Sequence, residues 1–303
     1  MKNKTLTATL AAFMAQVIFG FSFMFTKIAL EYASPLTVIA DRYIVAFFGL
    51  TAVMIIKRQK LKFGKNLWKL VIMSIFQPVL YFIFESYGID MSTSSFSAVM
   101  ISLIPVVAML SGIFVLKEVP SPLQYLFTAL SVGGVVIMAL AGNAEGTIKP
   151  LGIILLAGAV ISSVAYNLAS RKISEEFTPF ERTYAMTVTG LLVFMVIAVA
   201  ENFTSYEKVF TPFLNMPYMW AILYLGVISS VIAFLLLNYA NTYLPVAKTT
   251  VFSNFTTVVS VIAGALFLGE GFGWQEAVST LMIITGVCGV QLLSVKNKGN
   301  NYK

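Results

Sequence analysis

Ten apolar stretches, each long enough to cross a bilayer, follow one another with short connections. They lie near residues 6–30, 34–56, 68–89, 94–116, 121–141, 150–170, 179–200, 217–239, 245–268 and 275–294, and about 20 mostly apolar residues suffice to span a hydrocarbon core. Inside lipid, backbone N–H and C=O groups must bond within their own segment, so such runs become helices. Composition agrees: 58% of the residues are hydrophobic and 11% charged, against about 25% charged in soluble domains. The expected fold is an all-α polytopic membrane protein with ten transmembrane helices, surrounded by membrane lipids.

The net charge of +7 would suit a nucleic-acid binder, but its distribution points elsewhere. Lys57, Arg58, Lys60, Lys62, Lys65 and Lys69 crowd one connection. Lys2, Lys4, Lys117, Arg171, Lys172, Arg182, Lys248, Lys296, Lys298 and Lys303 fall on the same side if the amino terminus is inside. The opposite connections hold only Lys149 and Lys208 beside Asp90, Glu145, Glu201 and Glu207. By the positive-inside rule both termini are expected in the cytoplasm, with the chain in a plasma membrane of bacterial inner-membrane type. The run from Leu6 to Leu30 exceeds a signal-peptide core and is read as a retained first span.

An internal repeat is visible. One register shift pairs Tyr87 with Tyr239, Gly112 with Gly264, Glu118 with Glu270, Thr128 with Thr280 and Gly134 with Gly286. A slightly shorter shift pairs Lys27 with Arg171 and Pro35 with Pro179. The halves, 1–143 and 144–303, each carry five spans. An odd number inverts the second half relative to the first, an arrangement built for alternating access around a site near the midplane.

Chemistry-bearing groups are few. There is no histidine, one cysteine (Cys288), no triad, no metal-ligand spacing and no phosphate-binding glycine loop. An enzyme, a metal centre and a cofactor are not expected. Polar stripes do occur within spans: Gln16, Gly20, Phe23 and Lys27 in the first, and Ser74, Gln77, Tyr81, Glu85 and Gly88 in the third. Such stripes face a cavity or neighbouring helices, because polar groups facing lipid are costly.

Glu85 has two readings: it binds a substrate amine or carries a coupling proton, or it is a buried partner for Lys27 or Arg42. Arg42 is expected to reach inward, with Asp41 near the interface. Ser162, Ser163, Tyr166 and Asn167 of the sixth span, and Thr250, Asn254 and Thr257 of the ninth, are candidates to face the same space or to satisfy their own helix carbonyls. The small-residue pairs Ala108/Gly112 and Ser260/Gly264 allow close helix approach. Pro105 is expected to kink the fourth span, and Glu118 and Glu270 are read as anchors at opposite faces. The substrate-site set is Gln16, Phe19, Phe23, Gln77, Tyr81, Glu85, Tyr166, Asn167 and Asn254.

Several short motifs carry a family resemblance across the whole chain. They are Phe19-Gly20-Phe21-Ser22-Phe23 with Lys27, Pro35 with Arg42-Tyr43, Ile104-Pro105 leading to Leu116-Lys117-Glu118, and Leu268-Gly269-Glu270, with Gly134 and Gly286 beyond. In order and spacing the chain resembles the drug/metabolite transporter superfamily, in its ten-span EamA-type branch. It departs from the pattern at Phe19, where tryptophan is frequent, and at Thr257, opposite Pro105 of the first half. The resemblance implies a secondary transporter of small metabolites, often an exporter of amino acids or related compounds. Efflux of hydrophobic cations is the alternative, which the 25 phenylalanines would serve through cation–π contacts. A membrane-embedded enzyme or lipid-handling scaffold ranks below both.

Overall fold

The computed structural model describes residues 2–59, 61, 66–108, 111, 121–144, 148–201, 203, 211–244, 249, 252–271 and 273–300. Among these residues all regular structure is helical. We number the main helices α1 (Lys2–Leu30), α2 (Pro35–Ile56), α3 (Leu67–Asp90), α4 (Ser94–Ile101), α5 (Pro122–Ala144), α6 (Pro150–Lys172), α7 (Pro179–Glu201), α8 (Met216–Tyr243), α9 (Ser253–Phe267) and α10 (Trp274–Asn300). Six of them, α1, α2, α3, α6, α7 and α8, are long and apolar enough to cross a membrane, and Ser94–Ala108, Pro122–Met138 and Phe255–Phe267 are shorter apolar helices.

Helix starts follow local chemistry. Ser34 caps α2 by accepting from the Thr37 N–H at 3.3 Å, with Pro35 in the first turn, where no N–H is missed. Thr178 caps α7 in the same way, and Glu181 reaches back to the Thr178 N–H at 2.9 Å, completing a capping box. An apolar core is present, but the surface and some interior positions differ from those of a soluble domain. Phe48, Leu126, Ile154 and Leu281 are exposed, whereas Arg42, Glu85, Arg182 and Asn238 are buried, as expected where lipid is the outer solvent.

The helix contacts are reciprocal under the sequence repeat. α1 packs on α8 and α9, while its counterpart α6 packs on α3 and α4. α2 meets α8 as α7 meets α3, and the pairs α2/α7, α4/α9 and α5/α10 each join two counterparts. The reciprocity extends to atoms. A Cβ on Gly134 would meet Ile283 and the Ser279 carbonyl, and a Cβ on Gly286 would meet the Phe127 carbonyl and Ser131. Positions 127 and 131 pair with 279 and 283 in the register that pairs 134 with 286.

Lys27 Nζ donates to the Ile89 and Ser92 carbonyls at the end of α3, at 2.9 and 2.6 Å. Its counterpart Arg171 donates to the Asn241 and Thr242 carbonyls at the end of α8. Each cation thus adds a donor to carbonyls at a helix terminus, where intrahelical partners run short.

Three irregularities shape the interior. In α3 the backbone leaves the helix at Gln77 (φ −148°, ψ 116°) before Pro78, since a residue preceding proline is driven out of the helical region. The turn Ile75–Leu80 is wide, and its counterpart in α8 is the wide stretch Tyr224–Ala233. α4 ends at Ile101 and helix resumes at Ile104, so the break lies within one turn of Pro105. Glu270 accepts from the Ser94 and Ser95 N–H groups at 2.6 and 3.0 Å and from the Ser95 hydroxyl, closing the first turn of α4. Glu118, Gly112 and Thr250 lie outside the described residues.

Candidate functional site

α1, α2, α3, α6 and α8 converge with the start of α9 on a central cavity. Its empty space, open mouth included, is about 630 Å³. The polar stripe of α1 supplies Gln16 and Phe23, with Phe19 between them. α3 supplies Gln77, Tyr81, Phe82 and Glu85; α6 supplies Ser163 and Asn167. The stripe read along α3 survives the break at Gln77 because the backbone resumes as helix at Tyr81, so Tyr81 and Glu85 remain one turn apart on one face.

Glu85 is buried. Its Oε1 accepts from the Tyr81 hydroxyl at 2.9 Å, while its Oε2 has no hydrogen-bond partner. Neither cation expected to neutralise it does so. Lys27 is committed to the α3 carbonyls. Arg42 Nε donates to Ser230 Oγ at 2.7 Å and its Nη2 to Ser229 Oγ at 2.9 Å. Among the described residues the ion pair found is an exposed one, Lys69 with Glu176. The guanidinium carbon of Arg42 lies 4.1 Å from the centre of the Phe82 ring, and Phe82 and Phe19 both pack edge-on against Phe234. The cavity therefore holds a carboxylate oxygen, a guanidinium edge and an aromatic wall.

Other expectations change. Asp41 does not sit at the interface; it is buried and accepts from the Tyr218 hydroxyl at 2.5 Å. That contact lets two polar groups enter the protein together. Tyr166 is not brought to the cavity. Its hydroxyl donates to Asn238 Oδ1 at 2.9 Å, in a buried network with Ser170 and Arg182. Thr257 and Ser260 donate to the Ala98 and Ser94 carbonyls of α4. The side chain of Asn254 lies outside the described residues.

Sequence reasoning left out Ser229, Ser253 and Thr256, which line the cavity; the Thr256 hydroxyl donates to Gln16 Oε1 at 2.8 Å. A polar residue within an apolar span was the available signal for each. No group of three or more His, Cys, Asp or Glu suited to a metal occurs among the described residues.

The model of the EamA-like transporter family matches the chain twice, over residues 6–140 and 150–292. The chain belongs to this family. An uncharacterized transporter of Bacillus subtilis (strain 168), YcxC, is 33% identical over 293 residues, covering 95% of this chain and 94% of that protein. A Chlamydia trachomatis protein named S-adenosylmethionine/S-adenosylhomocysteine transporter is 24% identical over 277 residues, covering 86% of this chain and 81% of its own. A solved crystal structure with 18% sequence identity superposes with a TM-score of 0.66 over 94% of this chain and 98% of its own, a likeness of fold. This EamA-family member is thus a multi-pass membrane protein of a transporter family and not an enzyme.

Proposed function

We propose that the chain is a secondary transporter for a small amphipathic metabolite, an amino acid or related amine, with export the favoured direction. In this reading residues 1–143 and 144–303 form two inverted five-helix repeats that rock about the central cavity. Both termini are cytoplasmic in a bacterial inner membrane, and a proton is the candidate coupling ion. The two family matches and the reciprocal contacts of α5 with α10 support the repeat. The substrate-site assignment keeps Gln16, Phe19, Phe23, Gln77, Tyr81, Glu85 and Asn167, and adds Arg42.

The observation that carries the reading is the unpartnered Oε2 of Glu85, in a buried residue at the cavity wall. A buried carboxylate oxygen without a partner is costly, and a substrate ammonium or a proton relieves that cost. The Chlamydia trachomatis relative is in keeping with this, since both solutes in its name end in an amino-acid group. The aromatic wall of Phe19, Phe82 and Phe234 favours hydrophobic-cation efflux as the second reading.

Glu85→Gln provides the test. The amide keeps the shape and an acceptor for Tyr81 but holds no negative charge. Because no cation pairs with Glu85, the variant is expected to melt near the wild-type temperature while losing substrate binding and the pH dependence of proteoliposome flux. Wild-type flux with wild-type pH dependence would remove Glu85 from the mechanism.

A further inference from the structure

We propose that Arg42 is a carboxylate receptor, so that the cavity takes zwitterions carrying both an ammonium and a carboxylate rather than simple amines or cations. This rests on the central cavity being the transport site.

Arg42 is 3% exposed and lines the cavity. Its Nε and Nη2 donate to the neutral hydroxyls of Ser230 and Ser229. Neutral hydroxyls satisfy donors but supply no anion in contact with the charge, and burial without one is costly for a guanidinium. The Phe82 ring lies 4.1 Å from the guanidinium carbon, and the N–H groups donate along the planar edge. That edge is a fork matched to the two oxygens of a carboxylate.

Glu85 faces the same cavity with a free Oε2 and stands beyond ion-pair contact with Arg42. Two opposite charges in one cavity, not in ion-pair contact with each other, are bridged by a single molecule with both signs. A plain cation would answer Glu85 alone and leave Arg42 without an anion in contact. Phe19 and Phe234 offer an apolar wall to the remainder of the ligand.

The test uses purified full-length protein and ligand-induced thermal stabilisation, since a ligand bound only to the native state raises its apparent stability. The probes are the proteinogenic L-amino acids, their carboxamides and the amines left by decarboxylation. At least one amino acid is expected to stabilise the protein, with its carboxamide and amine binding about tenfold or more weakly. Arg42→Gln should bring the amino acid and its carboxamide to equal affinity. Should that variant not fold, Arg42→Lys keeps the charge, loses the fork and should narrow the same ratio. A purely structural Arg42 would leave the ratio unchanged in either variant. Carboxamides or amines that bind wild type as tightly as amino acids overturn this inference and leave the transport reading standing. Absence of binding by all three classes overturns both.

Discussion

Glu270 closes the amino-terminal turn of α4 through two backbone N–H groups and one hydroxyl, and a carboxylate is the best acceptor at that end of a helix. Glu270→Ala leaves those donors unmet, and a loss of about 1–3 kcal/mol in unfolding free energy is expected, read from thermal or denaturant melts. The exposed Glu176 behaves differently. Hydrogen bonds from Lys69, and then Asn66, lower its pKa below the ordinary value. Its contribution is present at neutral pH and disappears as pH falls through that lowered pKa. Solvent screens an exposed pair, so Glu176→Gln is expected to leave the neutral-pH melting temperature unchanged. At this scale a polar atom interrupting an apolar run was the readable signal, as at Gln16 and Glu85, because such an atom has only the interior to face. Ser229, Ser253 and Thr256 carried it too and were left out. The sequence was illegible where the partner is backbone. Nothing in the side-chain pattern says that Lys27 seeks the Ile89 carbonyl or that Glu270 seeks the Ser94 N–H.

Adjacent glycines in α5 make the helix scale testable. A Cβ on Gly134 would press on the Ser279 carbonyl and Ile283 of α10 at 2.8 Å, whereas one on Gly133 would meet only the end of Met282 at 3.6 Å. Gly134→Ala should therefore separate the helices and cost about 1–3 kcal/mol. Gly133→Ala should melt within a degree or so of wild type or slightly above it, since alanine is the better helix former. Calorimetry of both variants in the same detergent checks the contrast. The pairing of Gly134 with Gly286 was readable as a repeat, but the crossing of those two glycines was not, because register says which positions correspond and nothing about which ones touch. The break in α3 was within reach, since Pro78 disfavours the helical region at Gln77. The even spacing of the polar stripe masked it.

For the whole molecule, the bias of basic residues sets the orientation to be tested. On a Cys288→Ser background, Gly271→Cys is expected to react with an impermeant thiol reagent from outside intact cells, and Glu175→Cys only after permeabilisation. Labelling of both from one side would overturn the odd number of crossings expected between them. The crossing of α5 and α10 also bears on how such a chain diversifies. In a self-complementary contact between identical partners, every substitution acts twice. Here the two copies of each position reside in one polypeptide, and they have separated in size: Phe127 answers Ser279, and Ser131 answers Ile283. In both pairs one half carries bulk where the corresponding position of the other is small. A change in one half can be met by a different change in the other, so each half can acquire its own fit.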